Sequence, residues 1–103
     1  QDLYKAILSK ANLVRAKLIE AELTRANLSG VDLIGADLSK AYLIKANLKG
    51  ALLKEAERMR ANLSSVKLSG ADLRGANLKD AKLKETIFCH TTMPDGKENN
   101  SGC

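Results

Sequence analysis

The chain has 103 residues, 45% of them hydrophobic, so it can bury one core and is too short for two domains of ordinary size. Two Tyr, one Phe and no Trp leave that core to aliphatic side chains. A net charge of +5, from 17 basic residues mixed among 12 acidic ones, excludes a strongly acidic surface and any block-charged tail.

From Ala6-Ile7-Leu8 to Ala81-Lys82-Leu83, the triplet Ala-x-Leu recurs every five residues without a slip. The column from Leu3 to Leu83 is Leu at 16 of 17 positions, and Arg58 is the exception. The column from Ala6 to Ala81 is Ala at 14 of 16, with Val31 and Val66 as the others. Asn or Asp fills the middle position in 9 of 18 repeats, as at Asn12, Asp32, Asp37, Asn62, Asp72 and Asn77.

A five-residue step on an α-helix advances about 140°, which would spread the leucines around every side, so no amphipathic helix or coiled coil fits. In an extended segment, residues two apart share a face, so each Ala and its Leu point the same way. The next Ala stays inward only if the chain turns a corner after each Leu. About four corners close one coil, and the glycines give the same count: Gly30, Gly50 and Gly70 recur every 20 residues. A turn whose third residue needs positive φ favours Gly there, which predicts type II turns at the glycine corner and side-chain-tolerant turns at the others.

The repeats Ala26-Asn27-Leu28-Ser29-Gly30, Ala71-Asp72-Leu73-Arg74-Gly75 and Ala76-Asn77-Leu78-Lys79-Asp80 resemble the A-[ND]-L-x-x consensus of the pentapeptide repeat family. The resemblance covers about residues 2 to 90 and implies an all-β fold, a right-handed quadrilateral β-helix of about four and a half coils. At about 4.8 Å per coil, such a rod is about 20 to 25 Å long. The expected division is 1–90 for the β-helix and 91–103 for a C-terminal capping tail.

At Glu55-Ala56-Glu57-Arg58-Met59-Arg60 the Leu column breaks, and a buried unpaired guanidinium would be costly. A local bulge that turns Arg58 outward is the expected solution, with Met59 or the Arg58 stem covering the gap. After Leu83 the inward position becomes Phe88 and then Met93, larger residues suited to closing the end before the turn at Pro94-Asp95-Gly96. The segment from Phe88 to Gly96, ending in Gly102-Cys103, looks like the terminal segment of some cyanobacterial family members.

Cys89 and Cys103 bracket that turn, and two readings stand. As a candidate disulfide they would close the cap and favour an oxidising compartment, periplasm or thylakoid lumen. As two thiols they would fit a reduced cytoplasm. Cys89, His90 and Cys103 supply three metal ligands at most, with no CxxC pair, so neither a metal nor any other cofactor is expected.

The sequence contains no nucleophile–base motif, phosphate-binding Gly loop or cofactor signature, so no enzyme and no small-molecule substrate are expected. Function then falls to the outer faces. Tyr4, Val14, Ile34, Tyr42, Ile44 and Leu52 form a candidate interaction surface, with Val14, Ile34 and Leu52 on one face and Tyr42 and Ile44 on a neighbouring one. The leading expectation is a structural or protein-interaction scaffold for a protein partner of unknown identity. The alternative is a basic module, built on Lys5, Arg25 and Lys45, that binds an anionic membrane or nucleic acid. The sequence lacks the interleaved aromatics that single-stranded nucleic acid stacks on, and self-association through the apolar columns or an open end is the third expectation. Some family members protect DNA gyrase by imitating duplex DNA, which the positive charge of this chain argues against. No apolar run reaches the roughly 18 residues of a transmembrane span, and no secretory leader pattern opens the sequence.

Overall fold

The computed structural model describes residues 3–56 and 61–103. Each Ala-x-Leu triplet is a short extended side, and each corner is closed by an Ala amide donating to the Leu carbonyl three residues earlier, as in Ala6 N to Leu3 O at 2.9 Å. Four sides complete a coil, because middle residues pair in parallel with those 20 positions on: Ile7 with Asn27, Asn27 with Asn47, Asn47 with Lys67, Lys67 with Ile87. Two bonds per side hold neighbouring coils together. Leu8 N donates to Asn27 O at 2.8 Å, and Asn27 N donates back to Ala6 O at 2.8 Å. The result is a right-handed quadrilateral β-helix with extents of 33 × 25 × 21 Å.

The core is the two inward columns. Leucines from Leu23 to Leu73 and alanines from Ala21 to Ala71, with Val31 and Val66, are essentially sealed from solvent. Leu carries the volume, while Ala leaves room for the neighbouring side to approach, so the coil stays narrow and filled.

The corners correct one expectation. Positive φ is not confined to the glycine corner: Lys5, Arg25, Lys45 and Ser65 have φ between 59° and 62°, and Glu20, Lys40 and Asp80 between 58° and 64°. Left-handed backbone costs a non-Gly residue roughly 1 kcal/mol. The stack requires it nonetheless, because each corner amide must reach the next coil: Lys5 N to Thr24 O, Arg25 N to Ile44 O and Lys45 N to Ser64 O, each at 3.0 Å. A coil with a differently shaped corner would break that ladder above and below itself.

The outward Asn and Asp residues finish the corner. The amide of the first turn residue points away from the ladder, and the side chain two positions earlier accepts it: Asn12 from Val14, Asp32 from Ile34, Asn47 from Lys49, Asn77 from Lys79, all at 3.0 to 3.2 Å. These Asx turns give the middle column its bias toward short side chains with a carbonyl or carboxylate oxygen.

Candidate functional site

The parallel ladders fix which outward residues share a face. Asn12, Asp32, Leu52 and Asp72 form one ladder; Glu22, Tyr42, Asn62 and Lys82 form another. Between them in the coil lies a further ladder on either side, Lys17–Asp37 on one and Ile7–Asn27–Asn47–Lys67 on the other. The Val14, Ile34 and Leu52 face is therefore opposite the Tyr42 and Ile44 face, not beside it as the sequence reading placed it. The reason is arithmetic: the two sets are ten residues apart, half of a 20-residue coil.

Tyr4 falls on the Tyr42 face, two coils from Ile44, and its ring lies 5.5 Å from Lys5 Nζ. Tyr4, Val14, Tyr42 and Leu52 are exposed, whereas Ile34 and Ile44 are half-buried. Ile7, at 80% exposure, is an outward apolar residue that the sequence reading passed over. Its middle-column position was the available signal. The basic corner of Lys5, Arg25 and Lys45 ends in Ser65 and Glu85, so its positive charge stops at mid-rod. Arg58 lies outside the described residues.

On the Asp72 face Arg74 folds back onto Asp72, Nη2 to Oδ2 at 2.7 Å and Nε to Oδ1 at 3.0 Å, with Arg74 N donating to Oδ1 as well. The guanidinium holds the Asp72 carboxyl below the ordinary carboxylate range, outweighing the modest cost of desolvation.

The second feature is the cap. Phe88 and Met93 pack against the end of the core, as their size suggested. Strand β1 (Thr91–Thr92) continues the ladder by pairing with Asp72 below, and strand β2 (Glu98–Asn99) returns antiparallel above it. The chain then runs back over Phe88, where Gly102 N donates to Phe88 O at 2.7 Å. Any Cβ on Gly102 would sit 3.1 Å from Phe88 N, Phe88 O and Ile87 Cγ2.

This return brings Cys103 to Cys89, with the two Sγ atoms 2.10 Å apart and the Cα atoms 4.8 Å apart. His90, the last corner above Gly70, donates its amide to Asn100 Oδ1 at 2.7 Å and sets Nδ1 2.8 Å from Glu98 Oε2. The Glu98 carboxyl is pulled below its usual range, first by His90 and then by Asn100. Among the described residues, Cys89, His90 and Cys103 bring three metal-ligating atoms within 4.8 Å of one another, with the two sulfurs joined to each other.

The sequence profile of pentapeptide repeats matches residues 2–33, 21–57 and 59–93, in eight copies. The chain belongs to the pentapeptide repeat family. This pentapeptide repeat protein is similar to one from the Arabidopsis thaliana thylakoid lumen, with a TM-score of 0.86 and 29% identity over 95% of this chain and 68% of that one. It is also similar to Rfr23 from the cyanobacterium Cyanothece 51142, with a TM-score of 0.59 and 35% identity over 78% of this chain and 58% of that one. QnrB1, a plasmid-mediated fluoroquinolone resistance protein, shares the fold at a TM-score of 0.54 and 14% identity, over 87% of this chain and 54% of that one. Comparison with curated protein sequences returns no match. None of these similarities points to a catalytic family.

Two cap residues of this pentapeptide repeat protein escaped the sequence reading. Thr86 and Thr91 replace Ala in the inward column, and their Oγ1 atoms donate to Leu63 O at 2.8 Å and Leu68 O at 2.6 Å, one coil below. Thr91 is fully buried and also accepts from Cys89 N at 3.1 Å. The sign was in the sequence, since two Ala-column positions in a row turn polar just before the cysteine-bearing tail. Among the described residues, no helix is long and apolar enough to cross a membrane.

Proposed function

We propose that this pentapeptide repeat protein is a non-enzymatic scaffold that holds a protein partner on its Tyr42 face. The observation that carries the reading is the row of Tyr4, Tyr42 and Ile44 on one flat side of a rod whose interior is filled by Leu and Ala. Tyr42 is 48% exposed, and rigid aromatic side chains on a fixed backbone gain contact area at little entropic cost. Coils bonded above and below cannot reshape themselves, so recognition rests on the pattern of side chains along a side. The opposite face is broken by the Asp72–Arg74 pair beside Leu52, which makes it the less apolar of the two.

The test is a photo-crosslinking residue placed at Tyr42 in the native host, with Asn62 on the same ladder and Leu52 on the opposite face as comparisons. A discrete adduct from position 42 and none from 52 is expected. Adducts from 52 alone, or none anywhere, would reject the assignment of this face.

We also propose that the protein works in an oxidising compartment, periplasm or thylakoid lumen. Support comes from the two sulfurs at bonding distance and from the similarity to a thylakoid lumen protein. Intact mass after alkylation of unreduced natural protein decides the point: no added alkyl groups is the expected result, and two added groups would place the protein in a reducing compartment.

A further inference from the structure

We infer that Cys89, Cys103 and His90 form a redox-gated site for a thiophilic d10 cation such as Zn²⁺, closed while the sulfurs are joined and opened when they are reduced. The ligand atoms of these three residues lie within 4.8 Å of one another. A tetrahedral zinc with Zn–S of about 2.3 Å and Zn–N of about 2.0 to 2.1 Å spaces its ligand atoms about 3.5 to 3.8 Å apart, between the bonded S–S distance and the 4.8 Å span of the cluster.

Contacts other than the S–S bond also bring the two cysteines together. Thr91 pairs with Asn99 and Thr92 with Glu98, Met93 N donates to Lys97 O at 2.8 Å, and Gly102 N donates to Phe88 O at 2.7 Å. Gly102 also admits no side chain against Phe88, so these contacts favour the return of Cys103 toward Cys89 when the bond is open. Cys103 is exposed and Cys89 half-buried, so a reductant and an ion have access.

The histidine is prepared for the same task. A carboxylate only accepts, so the 2.8 Å contact from Nδ1 to Glu98 Oε2 makes Nδ1 the donor and leaves the Nε2 lone pair for a metal. A carboxylate that orients a ligating imidazole through its other nitrogen is the usual outer partner at such sites.

The chemistry balances in two steps. A dithiol reductant delivers two electrons and two protons to the S–S bond, giving two thiols on this chain and a disulfide on the reductant. Zn²⁺ then displaces the two thiol protons to solvent and binds two thiolates and neutral His90, and a water takes the fourth position.

The experiment uses the full chain, reduced with a phosphine under nitrogen, and measures Zn²⁺ affinity by competition with a chromophoric chelator beside the oxidised protein. Co²⁺ supplies a second readout, through thiolate charge-transfer bands and the intense visible bands of a tetrahedral site. One ion per reduced chain and none per oxidised chain is expected. His90→Ala and Glu98→Gln should each weaken Zn²⁺ binding by roughly 10- to 100-fold while leaving circular dichroism unchanged. Equal affinity in the two oxidation states, one ion shared by two chains, or wild-type affinity in His90→Ala would overturn the inference.

Discussion

The repeated coils and the C-terminal cap meet the same demand in different ways. Within the coils, Leu23, Leu28 and Leu33 are sealed, and middle amides find an acceptor one coil back, as Asn27 N does in Ala6 O at 2.8 Å and Asp32 N in Ala11 O at 2.9 Å. At the far end the repeat changes its own chemistry. Leu gives way to Phe88 and Met93, Ala gives way to Thr86 and Thr91, and a hairpin and a cysteine pair lie across the last coil. A solenoid thus extends by regularity and is capped by departing from it. Each departure enlarges an inward side chain or supplies a hydrogen-bonding group that the next coil would have provided.

The largest effect expected from one substitution falls in the repeated coils, against which the cap is measured. Leu48→Ala should cost about 3 to 4 kcal/mol, since Leu48 is completely buried and coils bonded on both sides cannot collapse into the cavity. Leu8→Ala, at a half-buried position, should cost less than half as much. Denaturant titration of both variants checks this, and equal losses would mean that Leu8 is as well sealed as Leu48.

Next in size is the cap closure. Replacing Cys89 and Cys103 together by Ser should remove roughly 3 kcal/mol on the chain-entropy account of a 14-residue loop. Hydrogen exchange locates the loss: faster exchange is expected at Ile87, Thr92 and Gly102, with Asn27 and Asp32 unchanged. Uniform acceleration along the rod would show that the cap and the first coils unfold as one unit rather than separately.

How much of this was legible in the sequence differs between the body and the ends. The body was legible because one physical demand, an inward Leu and Ala every five residues, is repeated at every level, and the spacing of Gly30, Gly50 and Gly70 gives the coil length. The corner conformation was not, because local preference favours Gly at positive φ while the interstrand ladder imposes the same φ on Lys40 and Ser65. Nor was the joint role of Thr91, His90 and Glu98, whose partners are 8 to 23 residues away and meet only once the tail has turned back. The opposite placement of the two apolar faces needed only the 20-residue count to be carried around the coil.

A smaller effect should come from the hydroxyl that supports the last coil. Thr91→Val keeps shape but removes the donor to Leu68 O and the acceptor for Cys89 N, so a loss of about 1 to 2 kcal/mol is expected. Thr91→Ala would restore the residue used in the coils below and add a small cavity to the same loss. If Thr91→Val were neutral, the cap would be held by packing of Phe88 and Met93 alone, and the contrast between coils and cap would reduce to side-chain size.

The smallest effect concerns charge on the rod between the ends. Arg74 lowers the Asp72 pKa below 3.8, its value without partners, so the folded state binds that proton less readily than the unfolded one. The pair therefore contributes fully at pH values well above 3.8, and its contribution is lost as pH falls through the lower, folded pKa. Asp72→Asn should keep the Asx turn, because an amide oxygen can still accept from Arg74 N, and should abolish only the charged component. The variant's stability is expected to lie slightly below wild type at pH 7 and to converge with it as pH falls through the lowered Asp72 pKa, as followed by thermal melts at decreasing pH. A difference that persists undiminished at low pH would mean that the carboxylate matters as a turn acceptor rather than as an anion, and would make the Asx turn, present along the whole rod, the interaction to test at both ends.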